Sequence, residues 1–153
     1  MEAEVRQNLP MALIRTVVGL IFLLEGSLKF LQPDAFGVGR FSRMGMPVPN
    51  VLAPLVGGAE IGCGAAILLN LFAGDAAIVL LAVILTALIT TKIPILLGRP
   101  LGPFPLEKLK EYGWLSFFHE ARTDLSMFFG LLAIAIDSGV NMGRKRRWYQ
   151  DGS

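Results

Sequence analysis

Four long stretches of the chain are apolar almost without interruption, and polar residues, prolines and glycines collect between them. The runs cover residues 10–31, 51–72, 75–97 and 114–136. Each is long enough to cross a hydrocarbon core of about 30 Å, which takes about 20 helical residues. The pattern predicts an all-α, integral membrane four-helix bundle. It forms a single domain over residues 1–153, with a basic tail at 144–153. The first run is too long for a cleaved signal peptide and contains Arg15.

The connections differ. "NLFAGD" (70–75) reads as a tight hairpin, with Gly74 as a helix stop and Asp75 as the N-cap of the third span. The two longer links face the other side. The first, from Gln32 to Asn50, is framed by Pro33, Pro47 and Pro49. The second contains "PLEKLKEY" (105–112), which reads as a short interfacial helical turn.

Composition sharpens this picture. Hydrophobic residues are 54% of the chain, charged residues 17%, and the mean hydropathy is +0.60, all displaced from soluble domains toward membrane proteins. Cys63 is the only cysteine and His119 the only histidine. One chain therefore supplies no disulfide, no Cys/His-ligated cofactor and no metal set, so any redox chemistry needs a bound organic molecule or a partner. Arg144, Lys145, Arg146 and Arg147 precede Trp148 and Tyr149. A basic cluster with aromatics at a span end is a membrane-interface anchor, and no nucleic-acid partner is called for. Basic residues tie at five on each side, and the dense C-terminal cluster decides for cytoplasmic termini.

Charges inside the spans are the candidate chemistry, because ionisable groups in a bilayer are costly and pair or act. Arg15 lies about 8–9 Å from the terminal-side edge and Glu60 near the midplane, a vertical gap of about 7–8 Å. An Arg15–Glu60 structural bridge between the first two spans is the expectation. Small residues surround both, with Arg15, Gly19, Phe22, Gly26 and Lys29 on one stripe and Gly57, Glu60, Ile61 and Gly64 on another. Near the loop side gather Glu25, Lys29, Lys92, His119, Glu120, Arg122 and Asp124. They form the candidate ligand-binding cluster: cations and His119 to donate hydrogen bonds, carboxylates to relay protons.

"LIRTVVGLIFLLEGSLKF" followed by "MGMPVP" and "LVGGAEIGCGAAILL", with Arg122 and Asp124 opening the fourth span, resembles the DoxX family of small membrane proteins. The resemblance implies a four-helix bundle in a bacterial-type inner membrane and an accessory place in quinone-linked or oxidative-stress redox complexes. It implies membrane or peripheral redox partners, allows a quinone as a bound cofactor, and leaves self-sufficient catalysis and oligomerisation open. The alternatives are a non-catalytic scaffold and a small transporter, the latter disfavoured by the lack of an inverted repeat or a broken helix.

Overall fold

The computed structural model describes the backbone of residues 2–151 and the side chains of residues 9–139. Arg6 and the 144–149 basic–aromatic cluster therefore lie outside the described side chains. The described residues are helical and contain no strand; an isolated bridge joins Leu101 and Phe104. The elements are α1 (Glu2–Leu31), α2 (Val38–Arg43), α3 (Pro49–Leu68), α4 (Ala73–Ala87), a π-helical segment (Leu88–Lys92), α5 (Ile93–Leu97) and α6 (Trp114–Asp151). Three stretches are long and apolar enough to cross a membrane: Leu9–Leu31, Pro49–Leu68 and Ala73–Leu97.

The helices pack α1 on α3, α3 on α4, α4 on α6, and α6 back on α1. The core sits in the terminal-side half, where Val18, Phe22, Ile67, Ala77, Leu80, Met127, Leu131 and Ile134 are buried. Leu13, Leu20, Leu24, Leu55 and Ile78 lie on the outside. Large apolar side chains on an outer face are what lipid requires and water penalises.

The α1–α3 contact is the closest because glycines let the backbones meet. A Cβ on Gly26 would lie 2.7 Å from the Gly57 carbonyl oxygen, and one on Gly64 would lie 3.0 Å from that of Gly19. These crossings fix an antiparallel register, Gly19 beside Gly64 and Gly26 beside Gly57.

Three local expectations are corrected. The 70–75 hairpin is made by left-handed Asn70 and Phe72, with Phe72 at the N-cap. Gly74 and Asp75 already belong to α4; Gly74 is small because Ser138 Cβ on α6 comes within 2.7 Å of where its own Cβ would be. Residues 105–112 form no helix. Instead, the Tyr112 hydroxyl folds back, donating to the Glu107 carbonyl and accepting from the Leu109 N–H. The first long link does contain a helix, α2, too short for a periodic signal.

The third apolar stretch is helical without a break from Ala73 to Leu97, but it is not α-helical throughout. Pro94 has no N–H to give the Thr90 carbonyl and its ring crowds that position. The helix widens there into a π turn, a common local response to such a defect. Threonines answer the disturbed carbonyls: Thr90 Oγ1 donates to the Thr86 oxygen at 2.8 Å and Thr91 Oγ1 to the Ala87 oxygen at 2.6 Å.

Candidate functional site

Above the core, toward the long links, the helices part and enclose a cavity of about 590 Å³. Its floor is apolar, made by Ile21, Phe22, Ile84 and Met127. Its roof is the first long link, through Phe36, Arg40, Phe41, Met44 and Met46. That link is pinned from two sides. Arg43 donates to the Asp34 carbonyl at 2.9 Å, and Gly45, at φ 69°, presses against the Pro103 carbonyl with no room for a Cβ. Phe41 is buried and holds α2 down.

The walls carry charge from every side. Glu25 and Lys29 come from α1, Glu60 from α3, Lys92 from the π segment, and Glu120 and Asp124 from α6. Arg40 reaches in from α2. Thr86, Thr90 and Thr91 add hydroxyls. The π turn therefore lines the cavity and positions Lys92 on its wall. Asp124 lies within the electrostatic reach of Lys92, Arg40 and Glu25. Among the described residues, Lys29 and Glu60 are the only charged pair in the cavity wall within ion-pair distance.

Lys29 Nζ donates to Glu60 Oε2 at 2.6 Å, with the two side chains 10% and 6% exposed. The expected Arg15–Glu60 bridge is not formed. Arg15 instead donates to Asp137 Oδ2 on α6 at 2.8 Å. The reason is side-chain direction. Cα–Cβ bonds tilt toward a helix's own N-terminus, so Lys29 leans down α1 while Glu60 leans up the antiparallel α3, and the two converge. Arg15 leans away from Glu60, toward the terminal side where Asp137 lies. Arg15 Nε is buried and without a partner among the described atoms.

Five of the seven residues of the sequence-derived cluster line this one cavity: Glu25, Lys29, Lys92, Glu120 and Asp124. His119 and Arg122 do not. Both are exposed on α6, where an Arg122 guanidinium N–H donates to the His119 carbonyl. The helical period explains the split: residues 120 and 124 share a face, and 119 and 122 are turned off it. Sequence reasoning missed Arg40, which stands in a short loop helix. It placed Glu60 in a structural bridge, whereas the carboxyl is on the cavity wall. No group of three or more His, Cys, Asp or Glu among the described residues has metal-site geometry.

Comparison with known proteins agrees with the membrane reading. Residues 11–93, which take in α1 from Met11 onward, α2, α3, α4 and the π turn, match the family model described as DoxX. An uncharacterized membrane protein of Mycobacterium tuberculosis is 44% identical over 119 residues, covering 78% of this chain and 69% of that protein. No solved structure matches the chain.

Proposed function

The chain belongs to the DoxX family, and from that membership and the charged cavity we propose an integral membrane accessory subunit of a redox complex that holds a quinone-like molecule between its helices. In this reading α6 crosses as a fourth span beside the three apolar ones, in a bacterial-type inner membrane with cytoplasmic termini. Its acidic residues support that placement, since Glu120 and Asp124 line the cavity and Asp137 is paired with Arg15.

The observation that carries the proposal is the wall of the 590 Å³ cavity, where cations and carboxylates of several helices surround an apolar floor. Ring carbonyls need hydrogen-bond donors, and Lys92 and Arg40 are cations on the wall that form no ion pair among the described residues. A bound quinone supplies two-electron, two-proton chemistry. Glu25 and Asp124 are carboxylates beside which a proton can be held or passed. Lys29 and Glu60 are engaged with each other and shape the wall. A ring with a short apolar collar fits such a site: mostly apolar lining, few convergent polar groups.

Purification in mild detergent, lipid extraction and mass spectrometry test this. A quinone should accompany the wild type in near-stoichiometric amount and be lost from Lys92→Met. A stable protein partner with no small molecule, unchanged by Lys92→Met, would replace the reading with a non-catalytic scaffold. That alternative draws on the two ion pairs, which tie α1 to α3 and to α6 without any ligand.

A further inference from the structure

The polar groups on the wall of the charged cavity are of two kinds, and the two are unequal in number. Lys29 and Glu60 satisfy each other across their 2.6 Å contact. That leaves the Lys92 ammonium and the Arg40 guanidinium, which only donate, and the Glu25, Glu120 and Asp124 carboxylates, which when ionised only accept. Among the described residues, none of these three carboxylates is engaged in an ion pair or a side-chain hydrogen bond. Their oxygens face the hollow without a donor from the chain.

The threonines tilt the balance further. A hydroxyl has one proton to give and two lone pairs to receive with. Thr86, Thr90 and Thr91 each give that proton to the helix carbonyl four residues back: Ala82 at 2.9 Å, Thr86 at 2.8 Å and Ala87 at 2.6 Å. Such back-bonding leaves them only lone pairs to offer the cavity. Thr123 keeps a hydroxyl for either role, but it is exposed on α6. The wall therefore sets six acceptor groups against two cationic donors, and Arg40 is itself exposed at the roof. In charge, Glu25, Glu60, Glu120 and Asp124 stand against Lys29, Arg40 and Lys92, an excess of one negative charge when all are ionised.

A head group with only carbonyls meets this wall poorly. It accepts from Lys92 and leaves the carboxylate and threonine oxygens facing further lone pairs. A ring hydroxyl serves both kinds at once: its oxygen accepts from Lys92 and its proton goes to a carboxylate. Asp124 lies within the electrostatic reach of Lys92, so one hydroxyl can bridge the two. Glu120 follows one turn away on the same face of α6. A site that hydrogen-bonds a hydroxyl rejects the analogue lacking it, because its own polar groups are then left unpaired.

We infer that the cavity selects the reduced, hydroxyl-bearing form of its ring, a neutral hydroquinone-type head that donates to Glu120 and Asp124 and accepts from Lys92. The inference rests on the proposed quinone-like reading of the cavity and narrows it to one redox form. The excess negative charge also turns away an anionic head.

The test uses the full chain in phosphatidylcholine nanodiscs under argon. Three probes share one ring with one isoprene unit: the para-benzoquinone, its hydroquinone, and the dimethyl ether of that hydroquinone. The ether keeps the accepting oxygens of the reduced ring and has no proton to give. Affinities are expressed per mole fraction in the bilayer. Wild type should bind the hydroquinone at least about tenfold more tightly than the quinone or the ether, the worth of about one hydrogen bond to a charged group. Glu120→Gln and Asp124→Asn each put N–H groups where lone pairs stood, and each should shrink that ratio at least about threefold. Glu111→Gln, exposed and away from the cavity, should leave it unchanged. A variant that fails to fold loses all three probes alike, and the wild-type ratio still decides. If the quinone or the ether binds wild type as tightly as the hydroquinone, or the ratio survives both α6 substitutions, the selection is overturned with the cavity reading intact. If none of the three probes binds the wild type, the cavity reading fails and carries the inference with it.

Discussion

Removing the Lys29 ammonium should cost more than removing the Glu60 charge, and removing both should cost less than either. Both side chains are about nine-tenths or more buried, and the contact is a 2.6 Å charge-assisted hydrogen bond. Stripping one partner from such a pair leaves an uncompensated buried charge, at about 3–5 kcal/mol, whereas replacing both by apolar groups of similar volume is often neutral. The two ends are not equivalent. Glu60 stands eleven residues into α3, about 16 Å from its start, and cannot reach the interface. Lys29 is two residues from the end of α1 and has a flexible stem to carry its ammonium outward. Lys29→Met should therefore lie at the upper end of the range, Glu60→Met about 1–2 kcal/mol below it, and Lys29→Met/Glu60→Met within about 1 kcal/mol of wild type. The assay is equilibrium unfolding in mixed micelles, followed by helical circular dichroism, read as a double-mutant cycle. Additive single-variant effects, or a costlier Glu60→Met, would refute the pairing and its depth asymmetry.

The remaining predictions test packing and register. Gly26→Ala should destabilise by about 1–3 kcal/mol, because its Cβ meets the immovable Gly57 carbonyl oxygen; Gly58→Ala and Gly62→Ala, with nothing within 4 Å, should be neutral in the same unfolding assay. Exchanging charges across the other pair, Arg15→Asp with Asp137→Arg, should recover more than half of the thermal stability lost by Arg15→Asp alone. No recovery would show that the 2.8 Å contact does not hold α1 to α6. Pro94→Ala restores an N–H opposite Thr90 and should raise hydrogen-exchange protection across residues 90–96, leaving protection in α3 unchanged. Equal exchange before and after would remove proline as the cause of the π turn.

What could be read from the sequence was set by which physical signals are one-dimensional. Apolar length is such a signal, so the three stretches found long and apolar enough to cross a membrane coincide closely with expected runs. Depth is nearly one, which is why Glu25, Lys29, Lys92, Glu120 and Asp124 were grouped before any contact was known. Azimuth and side-chain lean are not. Depth alone set Arg15 against Glu60, although the glycine register puts Arg15 beside Leu68, about 12 Å of helix away from Glu60. Gly19, Gly26, Gly57 and Gly64 carried that register in plain view, and combined with the N-terminal tilt of helical side chains they would have chosen Lys29. Arg40 had no such signal, since a six-residue helix in a proline-framed link has too few turns to show a face. Depth admits His119 and Arg122 to the same group, and helical rotation separates them from the cavity.

The two ion pairs and the π turn divide the cavity wall into unlike halves. α1 is tied to α3 by Lys29–Glu60 and by glycine contacts at two levels, and to α6 by Arg15–Asp137. Moving α1 means breaking a buried charge pair or lifting backbone off backbone. The opposite wall has neither restraint at cavity depth. There the helix already departs from α geometry at Leu88–Lys92, its carbonyls are held by threonine hydroxyls, and Lys92 forms no ion pair among the described residues. A π turn can interconvert with α geometry by a one-residue shift of hydrogen bonds, which rotates the side chains beyond it. The lysine proposed to meet a ligand, Lys92, thus sits on the wall without these restraints, while the paired Lys29 sits on the wall that carries them. Fixed α1 and adjustable α4–α5 give the cavity a rigid template on one side and a conforming donor on the other, so Lys92, rather than Lys29, is the lysine whose position should respond to what the cavity holds.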